Sequence, residues 1–385
     1  MRENEMRTAK LSELFDMQMG KTPDRNNPEY WKNGTHPWIS IADMTSNGKH
    51  IKYTKECITQ KAVDVTGIKP IYPGTPIMSF KLSVGKVAVA TTKCYSNEAI
   101  MAFNIPDVNV GNPMLTEAYS YYLLKSLNFD NVGNKAVMGK TLNKAILSDT
   151  VVKYHIHPDK QCEIVKVLDK VCELIDYRKQ QLQQLDDLVK ARFVEMFGDR
   201  YTNDKKWDNK PLYECADFYN GKAHEQVVDE NGEYILVTSR CIASDISDYR
   251  RTNALLFPLQ VNDIAMVMSD VPNGKALAKC ILIDEDRKYT LNQRICCLRN
   301  YSLNPIFFYH LLNRHEYFLS FNDGNAQTNL RKDDLLACNI IIPPLELQNE
   351  FANFVEQVDK SKAAVQKALD EAQTLFDSLM QEYFG

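Results

Sequence analysis

The segment "PPLELQNEFANFVEQVDKSKAAVQKALDEAQTLFDSLMQEYFG", residues 343–385, decides how the rest of the chain is read. Phe351, Val355, Val358, Lys362, Val365, Leu369, Ala372, Phe376, Leu379 and Tyr383 follow one another in alternating steps of four and three. That spacing is the a/d seam of a heptad helix, with a single lysine in the apolar stripe. Pro343 and Pro344 stand just before it, where helix breakers belong. A helix of about 38 residues is roughly 57 Å long, and a stripe of that length must be covered.

Moving 187 residues towards the N-terminus lands on a copy. Gln348 falls on Gln161, Glu350 on Glu163, Val358 on Val171, Leu369 on Leu182, Leu375 on Leu188, and Phe384-Gly385 on Phe197-Gly198. The seam becomes Ile164, Leu168, Val171, Ile175, Arg178, Leu182, Leu185, Val189, Arg192 and Met196, in the same register and without a gap. The endings "RFVEMFG" (192–198) and "LMQEYFG" (379–385) belong to this repeat. Upstream, "LSELFDMQMGK" (11–21) parallels "LYECADFYNGK" (212–222), and "SFKLSVGK" parallels "MSDVPNGK". Alternating runs such as "KVAVATT", "DIAMVMS" and "KALAKCILI" predict strands, and 115–127 and 305–318 predict helices. The chain therefore reads as a tandem duplication of a mixed α/β domain followed by a long helix. Its expected parts are a domain at 1–156, a helix at 157–198, a domain at 199–342 and a helix at 343–385. Two copies related by a pseudo-two-fold pack their helices as an antiparallel coiled coil. The seam is expected at Ile164, Leu168, Val171, Ile175, Leu182, Leu185, Val189, Phe351, Val355, Val358, Val365, Leu369, Phe376 and Leu379.

Composition sets bounds. With 385 residues, 44% hydrophobic and 25% charged, the chain suits two or three soluble globular domains. It has no apolar run near the roughly 20 residues that cross a bilayer. The start "MRENEMRTAK" has no apolar secretion core, and ten cysteines without C-x-x-C spacing read as reduced thiols of a cytoplasmic protein.

The layout resembles the specificity subunit of type I restriction–modification enzymes. The resemblance rests on "PPLELQNEFANFVEQVD", "DKQCEIVKVLDKVCELID" and the paired endings "FVEMFG" and "LMQEYFG". The first copy departs from the Pro-Pro-Leu-x-x-Gln entry, since "HPDKQ" keeps only the proline and the glutamine. The resemblance implies a non-catalytic chain with two target-recognition domains, each reading one half-site of a bipartite duplex DNA target. It implies two methyltransferase subunits recruited through the helices and two restriction/translocase subunits. It places no cofactor in this chain; S-adenosylmethionine, ATP and Mg belong to the partners.

Charge complicates that expectation. Residues 1–156 hold 19 basic and 14 acidic side chains, a net of +5, whereas 199–342 hold 17 and 20, a net of −3. Phosphate neutralisation dominates non-specific DNA affinity, so local clusters must form the DNA face. Candidates are Lys81, Lys86 and Lys93; Lys135, Lys140 and Lys144; Arg250 and Arg251; Lys275 and Lys279; and Arg331 and Lys332. Arg240, Arg294 and Gln327 join them because arginine and glutamine suit base edges. At every one of these positions an ordinary solvated side chain is the competing reading. Leu174, Leu188, Phe193 and Phe354 lie off the seam and are expected to meet partner subunits.

Catalytic motifs are fragments. "GNKAVMGKT" (133–141) has five residues between its glycines where a phosphate-binding loop has four. "NPIFF" (304–308) reads as a helix start, "HIH" (155–157) as a domain edge lacking a third metal ligand, and "DEDRK" (284–288) as an exposed turn. Two other functions stay open at this level: a coiled-coil scaffold holding two protein-binding domains, and an enzyme on a duplicated scaffold.

Overall fold

Two 40-residue helices, Pro158–Phe197 and Leu345–Phe384, organise the chain in a computed structural model. It describes residues 5–81, 83–106, 115–129, 142–271, 274–322, 324 and 328–385. Neither helix carries an interior glycine or proline, so nothing interrupts about 60 Å of backbone hydrogen bonding. Pro158 opens the first at a position where a missing N–H costs nothing. Gly198, at φ +76°, closes it, and its N–H returns to the Val194 carbonyl at 2.8 Å. No helix among the described residues is long and apolar enough to cross a membrane.

The chain divides into two compact units, one of Met1–Arg178 with Ala368–Gly385 and one of Lys179–Lys367. Each long helix therefore contributes to both. In the second unit Asp186 pairs with Lys362 at 2.6 Å and Arg192 with Glu350 at 2.8 Å. Numbers rise along one helix as they fall along the other, so the helices are antiparallel. In the first unit Ile164, Leu168, Val171 and Ile175 share a buried core with Ala372, Phe376, Met380 and Phe384. Phe384 meets Tyr119 with ring centres 5.2 Å apart, and Lys153 donates to the Gly385 carbonyl at 2.8 Å.

Other stripe residues are placed differently. Leu182, Leu185, Val365, Leu369 and Leu379 are half-buried, while Val189, Phe351, Val355 and Val358 are buried in the second unit's core. Phe193, expected to stay free for a partner, is instead buried there, near-parallel to Phe307 at 5.8 Å and edge-on to Phe351. A helix that covers both a second helix and a domain needs a stripe wider than a/d, and Phe193 and Phe197 widen it.

In the first unit a five-stranded sheet runs Asp16–Met19, Ile100–Asn104, Pro76–Ser79, Val87–Ala90, His50–Ile51. A smaller sheet runs Glu56–Ile58, His36–Ile39, Tyr95–Ser96. The second unit repeats this with Asp217–Asn220, Ile295–Arg299, Ile264–Val267, Cys280–Leu282 and with Arg250–Thr252, Tyr234–Val237, Tyr289–Leu291. Registers match as well: Ile77 faces Ala102 where Ala265 faces Cys297. Below each sheet a strand pair leads into the long helix, Met6–Lys10 with Val151–His155 and Asn209–Pro211 with Asn339–Ile341. The run 275–283 is strand only over Cys280–Leu282.

One glutamine per unit locks domain to helix. Gln161 Nε2 donates to the His155 carbonyl at 2.8 Å, and its Oε1 accepts from the Thr116 N–H at 2.8 Å. Gln348 does the same with the Pro343 carbonyl at 2.8 Å and the Asn304 N–H at 2.9 Å. Thr116 and Asn304 are the N-caps of the helices Glu117–Lys125 and Pro305–Leu312. Both glutamines are buried, and they are the pair that the shift of 187 superimposes.

The helix expected at 305–318 breaks at Leu312. Arg314 takes φ +51°, and the Arg200 guanidinium donates to the carbonyls of His310, Leu311, Asn313 and Arg314. A buried arginine thus replaces the next turn of helix and pairs with Glu316 at 2.9 Å. His315 then caps the short helix Glu316–Leu319.

Two outcomes follow from this packing. Replacing Gln161 or Gln348 with leucine strands a buried N–H and a buried carbonyl, at about 1–3 kcal/mol for each group. Chemical denaturation of the variants should show that loss, with the Gln348 variant opening the second unit first in hydrogen exchange. Burial, reinforced by the charge of Arg200 at His315 and of Lys362 and then Arg200 at His310, pushes both rings down to about 4. Both rings are neutral in the fold, whereas an unfolded histidine takes up a proton near its ordinary value of 6.5. Stability is therefore complete above pH 6.5 and falls as pH drops towards 4, by up to about 1.4 kcal/mol per unit for each ring. Melts between pH 7 and 5 should show the slope, and His310→Phe should roughly halve the part the two rings contribute.

Candidate nucleic-acid interface

Four segments meet at one end of the larger sheet in each unit, and backbone hydrogen bonds hold them there. In the first unit the Phe80 N–H donates to the Ala99 carbonyl at 2.9 Å, and the Leu142 N–H donates to the Phe80 carbonyl at 3.0 Å. The Gly20 N–H donates to Ile100 at 3.2 Å and the Lys21 N–H to Ser96 at 2.9 Å. In the second unit Met268 donates to Arg294 at 3.3 Å and Leu330 to Met268 at 2.8 Å, while Gly221 donates to Ile295 at 3.1 Å and Lys222 to Leu291 at 2.9 Å. A Cβ on Gly20 would lie 2.2 Å from the Asn97 carbonyl oxygen, and one on Gly221 would lie 2.1 Å from that of Asn292. Only glycine permits that approach. The result is a rim of 20–25, 80–81, 83–86, 97–99 and 142–144 in one unit and of 221–227, 268–271, 274–275, 292–294 and 330–332 in the other.

Side chains on this shared backbone differ. In the first rim the Thr22 hydroxyl donates to Glu98, and the indoles of Trp31 and Trp38 donate to the carbonyls of Asp24 (3.0 Å) and Lys21 (3.1 Å). Burial would raise the Glu98 carboxyl, but the Thr22 hydrogen bond and the nearby Lys81 and Arg25 hold it below its ordinary value. In the second rim buried His224 fixes the loop. Its Nδ1 donates to the Lys222 carbonyl at 2.7 Å, and its Nε2 lies 3.0 Å from the Thr290 hydroxyl. Asp270 closes the segment after it by accepting from the N–H groups of Val271, Ala276 and Leu277.

The sequence candidates distribute unevenly over this frame. Lys81, Lys86 and Lys144 gather at the first rim, although Lys86 is engaged by the Thr45 hydroxyl. Lys93 lies beyond the opposite end of the strand Val87–Ala90, away from the rim. Lys275, Arg294 and Arg331 gather at the second rim, exposed and free of ion pairs among the described residues; Lys332 lies over the Phe218 ring at 5.3 Å. Lys279 is spent on Asp245 at 2.8 Å and Arg240 on Asp248. Arg251 donates to the carbonyls of Gly232 and Glu233, whereas the side chain of its neighbour Arg250 is exposed without a partner among the described residues. Lys135, Lys140 and Gln327 lie outside the described residues, as does all of "GNKAVMGKT".

Sequence reasoning missed Arg25, whose guanidinium lies 3.9 Å from the Trp31 ring centre and 4.6 Å from that of Trp38 and donates to Glu56 at 2.7 Å. The crowding of two tryptophans around "DRNNPEYW" was the available signal. Asn304 does open a helix, accepting from the N–H groups of Ile306 and Phe307. Among the described residues no group of three or more His, Cys, Asp or Glu side chains is placed to hold a metal ion. Burial pushes the thiols of Cys94 and Cys338 up to about 12 and that of Cys241 to about 11, far from nucleophilic.

Comparisons with known proteins agree with the duplication. The family profile described as the type I restriction modification DNA specificity domain matches twice, over residues 3–187 and 202–372. The MjaIX type I restriction enzyme specificity subunit of Methanocaldococcus jannaschii is 24% identical over 96% of this chain and 90% of its own length. The EcoprrI specificity subunit of Escherichia coli is 28% identical over 23% of this chain and 21% of its own. Among solved structures, the S subunit of a type I restriction–modification system from M. genitalium shares the fold at a TM-score of 0.51 and 14% identity, covering 100% of this chain and 97% of that one. A chain from work on complex assembly and conformational transition of the type I R–M system does so at 0.58 and 14%, covering 98% and 97%.

Proposed function

Because the chain belongs to the type I restriction–modification DNA specificity family, we propose that each of its two rims reads one half of a split duplex target. The observation that carries this reading is the duplicated rim. The same backbone hydrogen bonds recur in both units while most of the side chains they present do not. A frame kept constant beneath a changing surface suits two modules that do one task on two different sequences. The chain is the sequence-reading component of the complex, and specificity subunits carry no catalysis of their own.

The long helices serve as spacer and as docking surface for two methyltransferase subunits. Val167, Leu174, Leu188, Val194 and Leu375 stay exposed on them after the cores are filled, a supply of apolar surface that such a contact requires. S-adenosylmethionine, ATP and Mg reside on the partners in this reading, the last two with a pair of restriction/translocase subunits.

Methylome sequencing with and without the gene tests the reading. Its loss should abolish one split adenine-methylation motif, and replacing residues 292–294 should alter only one half of that motif. Both halves changing together, or neither, would remove the assignment of one rim to one half-site. The lone chain should bind DNA weakly and gain affinity with methyltransferase subunits, measurable by anisotropy at fixed salt.

A further inference from the structure

The two units place a guanidinium at the same edge by different routes. In the first unit Glu56 sits on the edge strand Glu56–Ile58, directly opposite Trp38, and it holds Arg25 arriving from the rim loop. In the second unit the same lattice position, opposite Leu236 on the edge strand Arg250–Thr252, is occupied by Arg250. The correspondence is fixed by register: Ile39 and Val237 accept from the N–H groups of Asn97 and Asn292, the matched turn residues, so Trp38 matches Leu236 and Glu56 matches Arg250. One copy thus carries an acid that orients an arginine, and the other carries an arginine outright.

Folding does not explain the coincidence. Arg250 is exposed and has no partner among the described residues, so the second unit gains nothing internal from it. Arg25 is half-exposed at 47%, its guanidinium carbon over two mutually perpendicular indoles and one nitrogen on Glu56. Its Nε and Nη2 make no hydrogen bond among the described residues. A flat guanidinium held in this way is a prepared donor pair for a tetrahedral anion.

We infer that Arg25 and Arg250 are paired phosphate anchors, each contacting one phosphodiester of the duplex beside its rim. A phosphate is favoured over a base edge because the arginine recurs where most neighbouring rim side chains differ, as do the matched pairs Lys21 with Lys222 and Lys86 with Lys275, and the sugar–phosphate backbone is what both half-sites have in common. The inference rests on the DNA-reading function proposed above and adds where the duplex backbone runs.

The test uses the full chain assembled with its methyltransferase subunits, with anisotropy from 50 to 300 mM salt on DNA carrying the motif and on scrambled DNA. Arg25→Gln and Arg250→Gln should each weaken binding to both DNAs about 3–10-fold and lower the salt slope by about 0.9, with the methylated motif unchanged. Arg250→Gln should melt as the parent does, and Arg25→Lys should restore the slope if charge rather than packing is what Arg25 supplies. An unchanged slope in either glutamine variant overturns the inference, as does a loss confined to motif DNA, which would make the arginine a base reader. If the parent complex itself shows no salt-dependent binding to either DNA, the DNA-reading function fails first and takes the anchors with it.

Discussion

The structure depends on covering two apolar stripes far longer than any small domain needs. Each buried leucine, isoleucine, valine or phenylalanine contributes about 1.5–3 kcal/mol, so a stripe of this length cannot be left in water. The chain solves the problem twice. The N-terminal half of the central helix completes its core with Phe376, Met380 and Phe384 from the far end of the sequence. The C-terminal half does so with Phe351, Val355 and Val358. The first unit needs the far end of the chain to close its core and the second is closed by the helix segments that flank it, which ties the state of each domain to both helices.

The duplication is conserved at different depths. Backbone geometry is preserved best, because a hydrogen bond between main-chain atoms does not care which side chains flank it. Gln161 and Gln348 come next, since a carboxamide is one of the few side chains that can donate to one backbone group and accept from another. Rim side chains vary most. Two indoles hold one loop and an imidazole holds its counterpart, while Thr22 with Glu98 is answered by Glu225 with Gln293 at 2.8 Å.

What the sequence made legible follows from that ordering. Heptad steps and the shift of 187 are local and periodic, so the helices, their direction and the repeat could be read from letters. The rim could not, because it is assembled from segments that are distant in sequence and joined through main-chain atoms. Arg25 escaped for the same reason, its partners being Trp31, Trp38 and Glu56. Lys279 and Arg240 looked free because nothing local announces Asp245 and Asp248 as their partners. The break after Leu312 was hidden too, since the residue that enforces it, Arg200, lies more than a hundred positions upstream.

The acidic balance of the second domain also changes meaning once placed on the fold. The strand Cys280–Leu282 pairs antiparallel with Ile264–Val267, so Val267 leads into the rim while Leu282 lies opposite Ile264 at the other end. The turn carrying Asp284, Glu285 and Asp286 follows Leu282 and therefore sits at the end away from the rim. Asp263 lies at that end as well, bound by Arg299 at 2.6 Å. Four strand residues span about 13 Å, more than a Debye length of about 8 Å at physiological salt. A duplex lying at the rim, as proposed, would sense Lys275, Arg294 and Arg331 more strongly than those four carboxylates. A domain that is negative in sum can thus hold part of its acid away from the edge that carries Lys275, Arg294 and Arg331, although Glu225 and Asp270 stay at that edge.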